Sequence, residues 1–600
     1  MTAPRLGAVP GAAGVRFSAF LDPEKTCSVR LFDAAGRASR TLPLEALGDG
    51  YFSSEVTGAA VGDLYKLVVD GQEWPDPYAR FLPQGVHGPA RVEASGYAFE
   101  HAAPTVRPLS QQVIYELHVG TFTPEGTYAA AAQRLSYLAE LGVTTLELMP
   151  ISSFPGQRGW GYDGVAHFAP YAPYGEPDEL RRFIDAAHSH GLAVLLDVVY
   201  NHFGPSGNYL GCYSHRYFTS EYHTPWGEAP RFGDAPMRRY VLDNALYWLT
   251  EFRFDGLRLD ATHAIVDPSP KHVLQELVEQ VREHAPQATL IVEDERNEPE
   301  LVTKLGYDAI WADDFHHQVR VTLTGERDGY YGGYTPGAAG IARSIERGWL
   351  YEGQPSLGSG KPRGKAASAL EAQALVYCIQ NHDQIGNRAL GERLNQDVAL
   401  DAYCLASTLL LFLPMTPLLF MGQEWAASTP FLYFTDHDAE LGAQVTAGRR
   451  REFAHFAAFA EPARQATIPD PQLAATFERS KLLWQERGLE PHARVLSLYR
   501  ELLTLRRQHP VLAGSARRAN LTAVGEGDLL AVLRRGEPSQ PPLLLLANFG
   551  QSSRLLSETR WRGQVTAQLF SSHGAFPAAL EACALPALSA AVFQVTDDAL

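Results

Sequence analysis

Three acidic residues lie where apolar segments of the chain end. Asp260 closes the segment GLRLD, Glu293 follows TLIV, and Asp383 closes CIQNHD. If these segments are parallel strands of one barrel, their carboxyl ends form the active-site face, and the three carboxylates converge on one pocket. Paired carboxylates are the groups that most glycoside hydrolases use, one as the acid and one as the base or nucleophile. The pattern therefore predicts a site that cleaves sugar linkages.

The neighbours of the first two acids bear on their charge state. Arg258 and Asp260 are two residues apart on a predicted strand, so both point to one face, and the guanidinium would keep the carboxylate ionised as a nucleophile requires. Asp294 and Glu295 follow Glu293, and this crowding is expected to raise the pKa of Glu293, as a general acid requires. The side chain of Glu295 would lie on the same strand face as that of Glu293. We prefer Glu293 as the general acid because it directly follows the apolar run. The alternatives are a structural ion pair and a solvated cluster of charges.

Histidines and aromatic residues near other predicted strand ends could bind a sugar. His202 closes DVVYNH and His382 precedes Asp383, and an imidazole is a good hydrogen-bond partner for hydroxyl groups. Trp160 and Tyr162 lie in the glycine-flanked loop GWGYDG, and aromatic faces stack on the apolar faces of sugar rings. The alternatives are satisfied core histidines and loop packing. Metal ligation is a weaker alternative, since no HxH or HExxH spacing supports it.

Eight nearly all-apolar segments alternate with helical patterns along the middle of the chain. Strands that are covered on both faces have this composition, and their alternation with helices predicts an α/β fold, a (β/α)8 TIM barrel. The predicted strands are 113–122, 144–150, 193–202, 256–262, 289–295, 309–315, 374–383 and 415–425.

The spacing of apolar residues along the sequence changes on both sides of this barrel. Short alternating segments predict an immunoglobulin-like β-sandwich over residues 1–105 and a second β-sandwich over 513–600. The catalytic barrel would then span 106–512. Insertions near 203–234 and 325–370 follow the third and sixth strands, so both should overhang the pocket.

Composition excludes several classes of partner. The chain has 600 residues and a net charge of −17, which disfavours nucleic acid and anionic membranes and suits a neutral substrate. Its start lacks the apolar core of a signal peptide, and its five cysteines are scattered, as in a reducing compartment. The apolar stretch 405–422 contains two prolines and predicts a buried helix and strand rather than a membrane span. We therefore expect a cytoplasmic protein.

Four ordered strings resemble the classical blocks of the α-amylase family of glycoside hydrolases. They are DVVYNH, GLRLDATH, IVEDE and QNHDQ, and the resemblance covers roughly residues 110–510. It implies that Asp260 is the nucleophile, that Glu293 is the general acid/base, and that Asp383 is a third carboxylate that grips ring hydroxyls. The residues implied to line the subsite of the attacked glucose are Arg258, His202, His382 and Tyr162.

Longer strings resemble a narrower group, the members of this family that release trehalose. ELMPISSFPGQRGWGYDG, DGLRLDATHAI, WADDFHH and QNHDQIGNRALGER are similar to that group. The resemblance implies retaining hydrolysis of the α-1,4 bond next to the terminal trehalose of maltooligosyl trehalose or related α-glucan oligosaccharides, with water as second substrate and without a cofactor. Position at strand ends alone predicts the leaving-side residues, and indirect support is the alternative for them. These residues are His263, Asp314, His316, His317 and Trp425.

Two sets of alternatives remain at this point. YELHVGTF behind an N-terminal sandwich is also similar to glycogen branching and debranching enzymes, which share the nucleophile chemistry. From another class, the chain could be a non-catalytic glycan-binding protein, although all three acids are present. Some relatives bind calcium near the asparagine that corresponds to Asn201, but residues 203–234 offer no convincing ligand set, so we expect no essential metal.

Overall fold

The structure is a computed structural model. It describes residues 4–33, 36–94, 96–104, 107–357, 359–454, 456–459, 461–514, 518–556, 559–561, 564–574 and 584–596.

Eight parallel strands close into a barrel in chain order, as predicted. They are β1 (Ile114–Leu117), β2 (Thr145–Leu148), β3 (Ala193–Val198), β4 (Gly256–Leu259), β5 (Thr289–Val292), β6 (Ala309–Trp311), β7 (Leu375–Tyr377) and β8 (Thr416–Phe420). Every residue of these strands is buried, which explains why the segments are nearly all apolar instead of alternating. The (β/α)8 fold class is confirmed.

Helices follow the strands and cover the barrel. Residues 128–141 form two helices, and Gly142, with a φ of 106°, ends the second in the left-handed conformation. The longer helices are Leu135–Leu141, Pro177–Ser189, Ala235–Glu251, Val273–His284, Asp313–Thr324, Ala338–Arg347, Leu400–Phe412, Ala439–Phe453 and His492–Gln508. Shorter ones are Val119–Phe122, Tyr128–Ala132, Leu210–Tyr213, Glu300–Thr303, His382–Gly386, Leu394–Asp397, Pro462–Gln465, Ala474–Arg479 and Pro510–Ala513.

The N-terminal region is a sandwich of two antiparallel sheets. Phe17 and Tyr65 lie on different sheets, and their ring centroids are 4.9 Å apart, so the sheets share a core. One sheet has the order Gly7–Pro10, Gly14–Phe20, Tyr51–Thr57 and Glu45–Gly48. The other has the order Ala38–Pro43, Cys27–Phe32, Leu64–Val69 and Gln72–Trp74, with Ala90–Arg91 paired to Leu64–Val69.

The C-terminal region is also a β structure, built on a five-stranded antiparallel sheet. Along one strand, Leu530 and Val532 join the large central core, while Leu529 and Leu533 pack on the other side with Trp561. The strands run in the order Leu521–Glu526, Leu529–Arg534, Leu543–Asn548, Ser589–Val595 and Val565–Ser571, and Arg554–Leu555 pairs with Ala584–Leu585. The boundary at 512/513 stays a prediction, and the one at 105/106 lies outside the described residues.

The apolar stretch 405–422 folds as predicted, into the end of helix Leu400–Phe412 and into β8. Within the described part of the chain, no helix combines the length and apolar character needed to cross a membrane.

Candidate active site

A single buried guanidinium joins the acidic residues at the carboxyl ends of β3, β4 and β5. Arg258 on β4 is fully buried, and its Nη1 donates to both carboxylate oxygens of Asp197 at 2.8 and 2.7 Å. The same nitrogen donates to Asp260 Oδ1 at 3.0 Å, and Nη2 lies 2.9 Å from Glu293 Oε2. The Trp311 ring lies under the guanidinium, with the ring centroid 4.1 Å away. Arg258 therefore holds the two predicted catalytic carboxylates beside each other.

Asp260 is in an environment that keeps it ionised. Burial acts to raise its pKa, but Arg258, His202 and a 2.7 Å hydrogen bond from Asn201 Nδ2 outweigh burial, so the pKa lies below its ordinary value. The next residue, Ala261, has a φ of 38°, and its backbone N–H donates to Glu293 Oε2 at 2.9 Å. A carboxylate held ionised and oriented in this way can act as a nucleophile.

Glu293 is in the opposite situation. Burial, followed by the nearby carboxylates of Asp260 and Asp383, raises its pKa well above the ordinary value in spite of Arg258. A carboxyl group that keeps its proton near neutrality is suited to general acid catalysis. Glu295, which the sequence left as an alternative, has a side chain 71% exposed, against 15% for Glu293. The structure therefore favours Glu293 as the acid.

Asp383 is the most open of the three carboxylates, and His382 lies beside it. The His382 backbone N–H donates to Glu116 Oε2 at 2.9 Å, its Nδ1 hydrogen-bonds to the other Glu116 oxygen, and its Nε2 lies 3.4 Å from Asp383 Oδ1. Burial acts to lower the pKa of His382, but Glu116 and Asp383 outweigh it and raise the pKa to about 10. The imidazole is therefore a cation, and it stacks on the Tyr162 ring at 5.0 Å.

Two of the predicted sugar-binding residues lie on the Asp260 side of the site. His202 Nε2–H donates to the Tyr162 carbonyl oxygen at 2.8 Å, and Tyr162 O–H donates to Asp197 at 2.5 Å. Trp226 stacks on His202 with ring centroids 3.6 Å apart. We did not predict Trp226 from the sequence; the only signal was the aromatic-rich insertion 203–234, which forms the hairpin of Phe218–Thr224 and Gly227–Pro230.

A cavity of about 730 Å³ opens on the other side, next to Glu293. Residues of the insertion 325–370 form much of its wall, as the position of this insertion after the sixth strand predicts. We call it the acid-side cavity; besides Glu293, Glu295 and Asp383, its lining includes His263, Asp313, His317, Tyr334, Tyr351 and Arg363. His263 and His317, which the sequence predicts on the leaving side, both line this cavity.

Asp314 and His316 do not line this cavity, which corrects the sequence prediction. The apolar pattern predicts a strand over 309–315, but β6 ends at Trp311 and the helix Asp313–Thr324 begins two residues later. In a helix, residues four apart share a face, so Asp313 and His317 face the cavity, whereas Asp314 and His316 are buried behind it. Asp313 was missed for this reason. Burial, followed by Asp383 and Asp314, raises the pKa of Asp313 to about 6.

Two tryptophans are also placed differently from the prediction. Trp425 is fully buried and packs on Trp484, with ring centroids 5.2 Å apart, so it cannot contact a leaving group. Trp160 is 6% exposed; its ring stacks on Phe431 and its Nε1 donates to the Leu432 carbonyl oxygen at 2.9 Å. Trp160 therefore supports the site by packing on Phe431 and Leu432, and loop packing is the alternative to sugar binding given above.

Comparison with known proteins identifies the family. The alpha-amylase family model (alpha amylase, catalytic domain) matches residues 76–223. The chain is 51% identical over 563 residues to the malto-oligosyltrehalose trehalohydrolase of Deinococcus radiodurans, covering 93% of this chain and 91% of that protein. It is 45% identical to the protein of the same name from Rhizobium sp., covering 76% and 78% of the two chains. The chain belongs to the malto-oligosyltrehalose trehalohydrolase family.

A solved structure supports the same relationship across the whole chain. A provisionally named alpha amylase from Salmonella typhimurium, determined at 1.4 Å, superposes with a TM-score of 0.89 at 38% identity. The superposition covers 98% of this chain and 99% of that one, so the barrel and both flanking β regions of this trehalohydrolase-family protein have counterparts there. The protein is accordingly a glycosidase of the α-amylase family.

The interior of this trehalohydrolase-family barrel contains one carboxyl group that the site does not use directly. Glu147 on β2 is fully buried opposite Glu116 of β1, and neither of its carboxylate oxygens has a hydrogen-bond partner among the described residues. Burial first, and then Glu116 and Asp197, raise its pKa well above 4.5, against the opposing effect of Arg258 and His382. Glu147 is therefore a neutral acid below the active site.

This charge state predicts how pH affects stability. The folded protein binds the Glu147 proton more tightly than the unfolded chain, so the resulting stability is fully present below pH 4.5 and is lost as pH rises. Glu147→Gln cannot ionise, so we expect its melting temperature relative to the wild type to rise by roughly 2 °C or more between pH 5 and pH 8. Differential scanning calorimetry across this range measures the effect, with the exposed Glu140→Gln as control. A difference that is flat with pH, or falls, would contradict a neutral Glu147.

Among the described residues, no group of three or more His, Cys, Asp or Glu side chains is arranged to hold a metal ion. The independence of activity from metals stays a prediction, to be checked by assaying the enzyme after dialysis against a chelator.

Proposed function

We propose that this protein is a retaining glycoside hydrolase that cleaves the α-1,4 bond next to the terminal trehalose of maltooligosyl trehalose and releases trehalose. The observation that carries this proposal is the pair formed by Asp260 and Glu293, which contact one buried guanidinium beside the acid-side cavity. Retaining enzymes hold their two carboxyl groups about 5–5.5 Å apart, and inverting enzymes ~6.5–9.5 Å apart to leave room for water. A shared contact with Arg258 suits the shorter spacing.

The first chemical step forms a glycosyl-enzyme. An Asp260 carboxylate oxygen attacks the anomeric carbon, the bond from that carbon to the glycosidic oxygen breaks, and Glu293 gives its proton to this oxygen. Trehalose leaves as a neutral alcohol. Arg258 contacts both acids throughout, so it orients the nucleophile and balances the charge that Glu293 acquires when it loses its proton.

The second step returns the enzyme to its starting state. Glu293, now a carboxylate, takes a proton from water, and the water oxygen attacks the anomeric carbon from the side that trehalose left. The bond to Asp260 breaks, and the maltooligosaccharide is released with its original α configuration. Asp383 would bind ring hydroxyls of the attacked glucose, because it is the most open of the three acids and lies next to the His382 cation.

The position of Glu293 suggests where trehalose binds. A general acid must contact the leaving oxygen, so the leaving sugar lies on the Glu293 side, where the acid-side cavity opens. Its volume, about 730 Å³, is within the range of small-molecule pockets. Asp313, His317 and Arg363 supply polar groups to its wall and tyrosines supply ring faces, as a disaccharide requires.

Product analysis tests this function. The purified protein is incubated in parallel with maltotriosyl trehalose, maltopentaose and amylopectin, and the sugars are separated by chromatography. We expect rapid release of trehalose and maltotriose from the first substrate and slow attack on the other two. Debranched or newly branched chains from amylopectin would assign a debranching or branching activity instead. A folded protein without turnover on any substrate would indicate a non-catalytic glycan-binding protein.

A further inference from the structure

The buried carboxylate of Asp314 forms hydrogen bonds with three separate segments of the chain behind the acid-side cavity. Asp314 Oδ2 accepts hydrogen bonds from the backbone N–H groups of Leu350 and Tyr351, at 2.7 and 3.1 Å, and from Asn297 Nδ2 at 3.0 Å. Asp314 Oδ1 accepts a hydrogen bond from the Tyr334 hydroxyl at 2.5 Å. The side chain is fully buried. Asp314 therefore connects the loop after β5 to two distant parts of the insertion 325–370.

Three of the residues that contact Asp314 form part of the cavity wall. Tyr334 and Tyr351 line the cavity, and so does Arg363. Arg363 Nη1 donates to the Tyr334 hydroxyl at 3.2 Å, its Nε donates to the Glu295 carbonyl oxygen at 3.1 Å, and its Nη2 lies 3.5 Å from Asp314 Oδ1. The wall and the buried carboxylate thus form one connected set of polar contacts.

The energetics of burial indicate that this set is rigid. A buried carboxylate is costly unless charged or N–H partners satisfy it, and here four hydrogen bonds and the Arg363 guanidinium do so. Without the carboxylate, the N–H groups of Leu350 and Tyr351 would lose their acceptor, and buried donors without a partner are strongly disfavoured. The segments would then have to move, and they carry the wall residues with them.

We propose that Asp314 is a positioning residue for substrate selectivity, which fixes Tyr334, Tyr351 and Arg363 as the rigid wall against which the terminal trehalose binds. This inference rests on the proposed function. Trehalose and the disaccharide unit at the reducing end of a maltodextrin both consist of two glucose residues and differ in linkage. The cavity wall can distinguish their shapes only if the wall is rigid. Asp314 itself does not touch the sugar, since it lies behind the wall.

The test compares two substrates in the full-length enzyme. Asp314→Asn keeps the size of the side chain but replaces one acceptor oxygen by an NH2 group, which cannot accept hydrogen bonds. We expect the ratio of kcat/KM for maltotriosyl trehalose to kcat/KM for maltopentaose to fall about tenfold, chiefly through a higher KM for the trehalose substrate. The value of kcat/KM for maltopentaose should stay within about twofold, since the catalytic acids keep their own contacts.

The matched control is another buried carboxylate at the opposite end of the barrel. Asp255 directly precedes β4, and its Oδ2 accepts from the Val194 backbone N–H at 2.7 Å and pairs with His188 at 2.9 Å. Asp255→Asn should lower thermal stability as Asp314→Asn does, but it should leave the ratio unchanged. An unchanged ratio in Asp314→Asn, or an equal loss on both substrates, would overturn the proposal.

A smaller change decides the question if the Asp314 variants do not fold. Tyr334→Phe removes only the hydroxyl, which hydrogen-bonds to Asp314, Arg363 and His317. We expect the ratio to fall by at least ~3-fold in this variant, and an unchanged ratio would overturn the proposal. If the wild type itself shows no preference for maltotriosyl trehalose, the proposed function fails, and that result is visible before any variant is made.

Discussion

Asp260→Asn is expected to lower kcat on maltotriosyl trehalose by at least ~10³-fold, while the protein stays folded. The amide is isosteric with the carboxylate but is a poor nucleophile, so the glycosyl-enzyme does not form. The hydrogen bond from Asn201 and the contact with Arg258 hold the native carboxylate ionised and oriented, as the proposed attack requires. Trehalose release measured by chromatography gives the rate, and circular dichroism with a melting curve checks the fold.

A second variant separates loss of the nucleophile from general damage. Asp260→Ala leaves space below the anomeric carbon, so added azide should restore turnover and yield a glycosyl azide of β configuration. The stereochemistry follows because azide replaces the carboxylate on the face that it normally attacks. Near-native turnover of Asp260→Asn without azide would remove Asp260 from the role of nucleophile.

Glu293→Gln is expected to lower kcat by a similar factor, at least ~10³-fold, for a different reason. The amide cannot give a proton to the leaving oxygen, so the first step fails for a poor leaving group such as the hydroxyl oxygen of a sugar. The raised pKa of Glu293 also predicts that kcat of the wild type falls on the alkaline side as this group loses its proton. In Glu293→Gln the residual activity should lack this alkaline fall.

Glu295→Gln is the matched control, because Glu295 is two residues further on and its side chain is 71% exposed. We expect the kcat of this variant to stay within about threefold of the wild type, with the alkaline fall intact. If instead Glu295→Gln abolishes turnover and Glu293→Gln does not, the acid has been assigned to the wrong carboxylate. A pH–rate profile of both variants on maltotriosyl trehalose distinguishes these results.

Local sequence was informative where strands run into the active-site face. Asp260, Glu293 and Asp383 follow strands whose all-apolar composition marks them as buried on both faces, and a parallel barrel brings such strand ends together. The same reasoning failed at 309–315. There the chain changes from strand to helix at Asp313, so the two-residue alternation no longer tells which side chains face the pocket.

Contacts between distant segments were outside the reach of local patterns. Trp226 stacks on His202 because a hairpin of the insertion 203–234 folds back over the site. Trp425 follows β8 as a site residue would, yet its ring points into the core against Trp484. Nothing in the few residues around either tryptophan specifies the partner, since the partner comes from another part of the chain.

The barrel, the order of the three acids along it and the resemblance to the α-amylase family could all be predicted from the sequence, because the spacing of apolar residues and the ends of strands are local properties. The folded structure was needed to establish that Glu293 rather than Glu295 faces Arg258. It was also needed to establish that Asp314 lies behind the acid-side cavity, where it binds Leu350 and Tyr351. These outcomes depend on helix phase and on contacts between segments tens of residues apart, which hydrogen bonding and burial settle only in the folded chain.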